Sequence, residues 1–229
     1  MTEKEKIRIQ TSETFLLSAI LALSGGFQDA YTYNVRNEVF SNAQTGNVVL
    51  MSQNFMTGKW EAGLKYLFPL FAFALGVLIA EQIQHKYKYA KRLHWRQGIL
   101  GAEIIILFIV GFIPQRGNMI ATVLVSFACA MQVQSFRKVN GFSYASTMCI
   151  GNLRSGTAAL SFYLRERRPE QLRQAMYYLG IIVLFAIGAG IGGNLSANYG
   201  IHMIWVSCGL LIVSFLLMFL DIEARRSRA

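Results

Sequence analysis

Six apolar runs, each close to the ~20 residues a helix needs to cross a ~30 Å hydrocarbon layer, set the terms on which this chain can fold. They fall at about 14–35, 64–84, 98–114, 118–136, 175–195 and 201–220. One water-soluble core would not hold them all. Of the 229 residues, 54% are hydrophobic and only 15% are charged, and mean hydropathy is +0.38. The sequence therefore predicts an all-α, polytopic membrane protein. The first run continues into polar QDAYTYN without a clear small-residue cleavage site, so the expectation is a retained helix and not a cleaved signal peptide.

Two further stretches, 39–57 and 143–163, are too polar for ordinary spans and too apolar for ordinary loops. The first carries NAQTGNVVLMSQN at 42–54. Positive charge decides how they thread, because cytoplasmic loops collect Lys and Arg. The basic segments are the N-terminus (Lys4, Lys6, Arg8), the loop at 86–96, Arg137 with Lys138, the loop at 165–173, and the tail with Arg225, Arg226 and Arg228. Eight full crossings would put the 86–96 loop outside. If each odd stretch instead enters and leaves on one side, six spanning helices remain and every basic segment shares the cytoplasmic face. Both termini are then cytoplasmic, and the two odd stretches enter from opposite sides.

The same distribution accounts for the pI near 9.7 without nucleic acid. The excess charge is spread over short loops and suits anionic lipid. Cys129, Cys149 and Cys208 lie in apolar segments without CxxC spacing, so neither a disulfide framework nor a zinc site is expected. The histidines are scattered. No GxSxG, HExxH or carboxylate–histidine cluster points to catalysis. The expectation is no enzyme, no cofactor and no metal. GAGIGG at 188–193 lacks the strand and turn of a nucleotide-binding loop, and Gly188 with Gly192 reads as a close-packing face of a membrane helix.

An internal repeat organises the rest. GGFQDAYTYNVRNEVFSNAQTGNVV in the first half is echoed by ACAMQVQSFRKVNGFSYASTMCIGNLRS in the second. Gln28 precedes Gly46-Asn47 much as Gln132 precedes Gly151-Asn152, and FALG (Phe73–Gly76) matches FAIG (Phe185–Gly188) in the same order. The halves run over 13–115 and 118–221. Three spanning helices per half, an odd number, would turn one half upside down relative to the other, as in many transporters.

Such a plan explains the polar TGN. Irregular backbone survives at membrane depth only where protein or a water-filled cavity supplies its hydrogen bonds, and two inverted breaks would meet near the midplane. Helix N-termini there would favour an anion and freed carbonyls a cation. The alternative is that TGN and IGN only let helices pack closely. Ionisable groups in spans are costly and therefore informative. Asp29, beside Gln28 and Tyr33, would bind a cation, carry a proton or accept a substrate hydrogen bond, or else bond a neighbouring helix. Arg154 would bind an anion or pair with an acid, or else snorkel to the surface. Glu81 and Glu103 are read as interfacial groups near the basic 86–96 loop.

GGFQDAYTY followed by VFSNAQTGNVVL, with a second GN segment downstream, resembles the YoaK family of small bacterial integral membrane proteins over nearly the whole chain. The specific elements are Asp29, Ala30, Tyr33, Thr45, Gly46 and Asn47; the second half departs from TGN at Ile150-Gly151-Asn152. The resemblance implies a bacterial inner-membrane location and supplies no substrate, that family being largely uncharacterised.

The resulting expectation is a small-solute transporter with a polar site at the repeat interface. Gln28, Asp29, Tyr33, Thr45, Gly46, Asn47, Gln132, Gly151, Asn152 and Arg154 are its candidate residues. A passive channel, or a scaffold or lipid-interacting protein without flux, are the alternatives. Expected partners are membrane lipids, an unknown small solute or ion, and a second copy of the chain; nucleic acid is not one.

Overall fold

The computed structural model describes residues 10–87 and 95–226, with side chains through Leu220. Lys4, Lys6, Arg8, positions 88–94 of the basic loop and Arg228 lie outside the described residues, as do the side chains of Arg225 and Arg226. Eight α-helices account for most of the described chain: α1 (Phe15–Val35), α2 (Gln44–Met56), α3 (Trp60–Tyr87), α4 (Trp95–Val110), α5 (Asn118–Ser135), α6 (Cys149–Glu166), α7 (Pro169–Tyr199) and α8 (Ile204–Arg226). A two-residue hairpin, β1 (Lys138–Val139) with β2 (Phe142–Ser143), precedes α6.

The six apolar runs become α1, α3, α4, α5, α7 and α8. α3 and α7 are longer than hydropathy suggests, at 28 and 31 residues. Their extra turns are polar but helix-forming. Pro169 opens α7 where a missing N–H costs nothing, with Glu170 beside it facing the positive end of the helix dipole. α1 starts at Thr14, whose hydroxyl accepts the N–H of Leu17 at 3.4 Å. Among the described residues, three helical stretches are long and apolar enough to cross a membrane by length and composition: Trp60–Tyr87, Gln115–Ser135 and Pro169–Leu220, the last joining α7 and α8 through a 3-10 turn. Large apolar side chains such as Phe71, Ile105, Phe108 and Leu216 point outward, as a lipid-facing surface requires.

The two odd stretches each fold as an extended segment followed by a helix. At 13 residues α2 measures roughly 20 Å, too short to cross hydrocarbon. It rests on α3, and α6 rests on α7.

Packing between the long helices follows a reciprocal pattern. α1 lies along α7 and α3 along α5; α4 packs on α5 and α8 on α1, while α4 also touches α8. A glycine sets each of the two closest approaches. A Cβ at Gly76 would run into the carbonyl of Phe127, and one at Gly188 would overlap the carbonyl of Leu23. Leu23 stands five residues before Gln28 and Phe127 five before Gln132. The FALG and FAIG motifs therefore do the same work against equivalent turns of α1 and α5.

Each end of the bundle is closed by a buried or half-buried arginine. At one end Arg96 donates to the Ser135 carbonyl at 2.9 Å and to Ser12 Oγ at 2.7 Å, and pairs with Glu13 at 3.2 Å. At the other, the fully buried Arg36 donates to the carbonyls of Val110 at 3.0 Å and Ile113 at 2.8 Å, to Asn118 Oδ1 at 2.9 Å and to the Tyr31 hydroxyl at 2.9 Å. A guanidinium suits that position because it delivers several donors at once to the orphan carbonyls that end α4.

Candidate functional site

Between α1 and α2 the chain turns back at Asn37 and Glu38, both in the left-handed region (φ 67° and 58°), and runs extended into the bundle. The segment from Phe136 to Met148 does the same after α5, by way of the hairpin. Ser41 and Asn42, and Ser146 and Thr147, are buried in the bundle, and the helices that follow them start at half-buried or exposed positions. Ala43 and Met148, which precede those helices, provide no side-chain cap. The positive ends of two helix dipoles therefore lie at these starts without a side-chain cap, and the Asp29 carboxylate sits at that of α2.

The two starts share one cavity of about 740 Å³. Asp29, Asn42, Thr45, Thr147 and Gly151 supply its polar and small surface, and Phe71, Phe73, Ile150 and Phe185 its apolar wall. Convergence is direct: Thr147 from the second break and Asn42 from the first both lie against Gly25 of α1. Asn42 Nδ2 also donates to the Gly25 carbonyl at 3.2 Å.

Asp29 is the charged side chain of this wall. It is 6% exposed, and its Oδ1 accepts the N–H of Asn42 at 2.6 Å and the hydroxyl of Ser41 at 3.1 Å. The carboxylate thus tethers the first break to α1 while bordering the cavity. Of the ten residues picked out by sequence, Asp29, Thr45 and Gly151 line this space.

The others sit elsewhere, for identifiable reasons. Asn47 clasps the backbone of Phe40, accepting its N–H at 3.1 Å and donating to its carbonyl at 2.7 Å. Asn152 treats Ala145 alike, at 3.4 and 2.7 Å. Both amides hold the breaks open and are not part of the cavity wall. Gly46 packs under the Phe40 ring. Gln132, 1% exposed, donates to Ser146 Oγ at 3.0 Å and so ties the second break to α5. Tyr33 stacks on Phe40 and lines a separate cavity of about 510 Å³ with Glu38 and Lys65, at the end of the bundle that holds Arg36. Arg154 is exposed on α6 and makes no ion pair among the described residues.

Gln28 faces away from the cavity into a second polar cluster. Its Nε2 lies 3.1 Å from Ser24 Oγ, 3.0 Å from Ser207 Oγ and 3.3 Å from Glu103 Oε1, and its Oε1 accepts the thiol of Cys129 at 2.7 Å. This corrects the interfacial reading of Glu103. Its side chain is fully buried between α1, α4, α5 and α8, not at a surface beside the basic loop. Glu81 does sit near the basic end, paired with Arg137 at 3.2 Å and hydrogen-bonded by Gln134. Among the described residues no cluster of His, Cys, Asp and Glu is arranged to hold a metal.

The sequence profile described as "Protein of unknown function (DUF1275)" matches residues 17–217. Among curated proteins, the UPF0700 transmembrane protein YoaK of Bacillus subtilis (strain 168) is 25% identical over 202 residues, covering 83% of this chain and 87% of that protein. No solved structure matches.

Proposed function

The chain belongs to the DUF1275 family and is a membrane protein; from that premise we propose that it carries a small solute across the bacterial inner membrane by alternating access. The observation that carries the reading is the shared cavity: two uncapped helix starts, one from each half of the chain, open beside the carboxylate of Asp29. Such a space offers hydrogen-bond donors from the helix ends and an acceptor from Asp29 across an apolar wall. It suits a small solute with both an accepting and a donating group.

The halves at 13–115 and 118–221 are read as an inverted pair. Reciprocal packing of α1 on α7 and α5 on α3, the matched glycine contacts and the matched asparagine clasps support that reading. Six crossings, with the segments carrying α2 and α6 each entering and leaving on one side, put Arg96, Arg137, Lys138, Arg165, Arg167 and Arg168 at one end, which is then cytoplasmic. Midplane sites between inverted halves are the usual basis for alternating access. A channel would share the two paired helix starts but would not show saturable flux.

The test begins with a thermal-shift panel of small solutes on the purified protein, since a ligand stabilises the state it binds. Uptake of each hit into proteoliposomes is then compared between wild type and Asp29→Asn. The expected result is saturable uptake that falls to background in the variant while its melting temperature is retained. Normal uptake by a folded Asp29→Asn protein would place the solute elsewhere.

A further inference from the structure

The cluster around Glu103 is not needed to build the solute cavity, yet it sets a carboxyl group in the middle of the bundle. Glu103 is fully buried, and its Oε2 has no hydrogen-bond partner. Its partners include no Lys, Arg or His among the described residues. The titratable groups facing it from the packed helices are Cys129 on α5 and Cys208 on α8. Asp29, next to Gln28 on α1, is turned toward the first break.

Counting donors and acceptors exposes a mismatch. The Gln28 amide nitrogen has two hydrogens but three oxygen neighbours: Ser24 Oγ, Ser207 Oγ and Glu103 Oε1. The serine hydroxyls also bond each other at 2.6 Å. With Glu103 ionised, one amide hydrogen goes to Glu103 and one to a serine, the Cys129 thiol donates to Gln28 Oε1, and Glu103 Oε2 is left without a partner.

A half-turn of the amide keeps its outline and exchanges oxygen for nitrogen. If Glu103 then holds a proton, its O–H and one serine hydroxyl fill the two lone pairs of Gln28 Oε1. The other serine donates to the first, and the amide nitrogen donates to Cys129 Sγ. One proton is added and one O–H bond forms; no other covalent bond changes. We propose that Glu103 is a proton-binding site within the membrane, and that its loading is read by rotation of the Gln28 amide between Glu103 and Cys129. Gln28 acts here as a positioning residue, and its neighbour Asp29 links the same turn of α1 to the cavity. The coupling role rests on the transport reading; the proton site itself does not.

The test needs no solute. In full-length protein carrying Cys149→Ala and Cys208→Ala, Cys129 is the sole thiol, and its S–H stretch is free of other protein bands. Infrared difference spectra are recorded in nanodiscs between mildly acidic and mildly alkaline buffer. The S–H band should shift with pH, in step with a protonated-carboxyl band, and both changes should vanish in Glu103→Gln. A pH-silent S–H band, or a shift that persists in Glu103→Gln, overturns the proposal. Should Glu103→Gln not fold, Gln28→Leu decides: the S–H band should become pH-independent while the carboxyl band still titrates, and a surviving S–H shift refutes the relay. A silent band leaves the solute site standing, and a failed uptake assay leaves the proton site standing.

Discussion

Asn47 holds Phe40 by both backbone polar groups, accepting its N–H at 3.1 Å and donating to its carbonyl at 2.7 Å across seven residues. Asn152 repeats the clasp on Ala145 at the same separation. Without these bonds the extended segments would carry unpaired peptide groups inside the bundle. Asn47→Ala and Asn152→Ala should each cost about 1–3 kcal/mol, seen as a lower melting temperature in detergent. Asn47→Asp keeps the acceptor but loses the Nδ2 donor, and should recover only part of the loss. An unchanged melting temperature in both alanine variants would mean the clasps do not hold the breaks.

Gly188 and Gly190 lie two residues apart on α7 but meet different surroundings. A Cβ at Gly188 would overlap the Leu23 carbonyl of α1, whereas one at Gly190 meets nothing within 4 Å. Gly188→Ala should force α1 and α7 apart, with an overpacking cost of roughly 1–3 kcal/mol or more and loss of a single monodisperse peak in size-exclusion chromatography. Gly190→Ala should be neutral, or stabilising by up to about 1 kcal/mol through helix propensity. Equal behaviour of the two variants would contradict the close approach.

The long helices were legible because apolar residues crowd into helix-length runs, and the separate helices α2 and α6 because polar TGN and IGN interrupt that pattern. What composition does not encode is rotation about a helix axis. Gln28 and Asp29 are neighbours in sequence, yet one enters the Glu103 cluster and the other the cavity wall. Glu103 lies two turns inside α4, close to the basic loop in sequence, but its side chain turns into the bundle. Asn47 and Asn152 were legible as special but not as braces, because their partners are backbone groups that any residue would supply. Arg36 carries no sequence signal for the same reason: what it binds at the end of α4 is largely main chain.

Topology can be tested with single cysteines in a background lacking Cys129, Cys149 and Cys208. Glu170 and Asn198 are both exposed, at opposite ends of α7. An impermeant thiol reagent applied to intact cells should label Asn198→Cys and leave Glu170→Cys unmodified until the cells are opened. The reverse pattern would overturn the orientation assigned from positive charge.

Thiol chemistry at the cavity addresses the central claim without a known solute. In the same cysteine-free background, Thr45→Cys borders the shared cavity, while Val49→Cys, one turn further along α2, presents an exposed apolar position outside the cavity wall. Alternating access exposes the cavity to water from each side in turn. The impermeant reagent should therefore modify Thr45→Cys when supplied either outside intact cells or to inside-out vesicles, and Val49→Cys in neither. If Thr45→Cys is unreactive from both sides, the breaks serve only to pack helices and the carrier account fails.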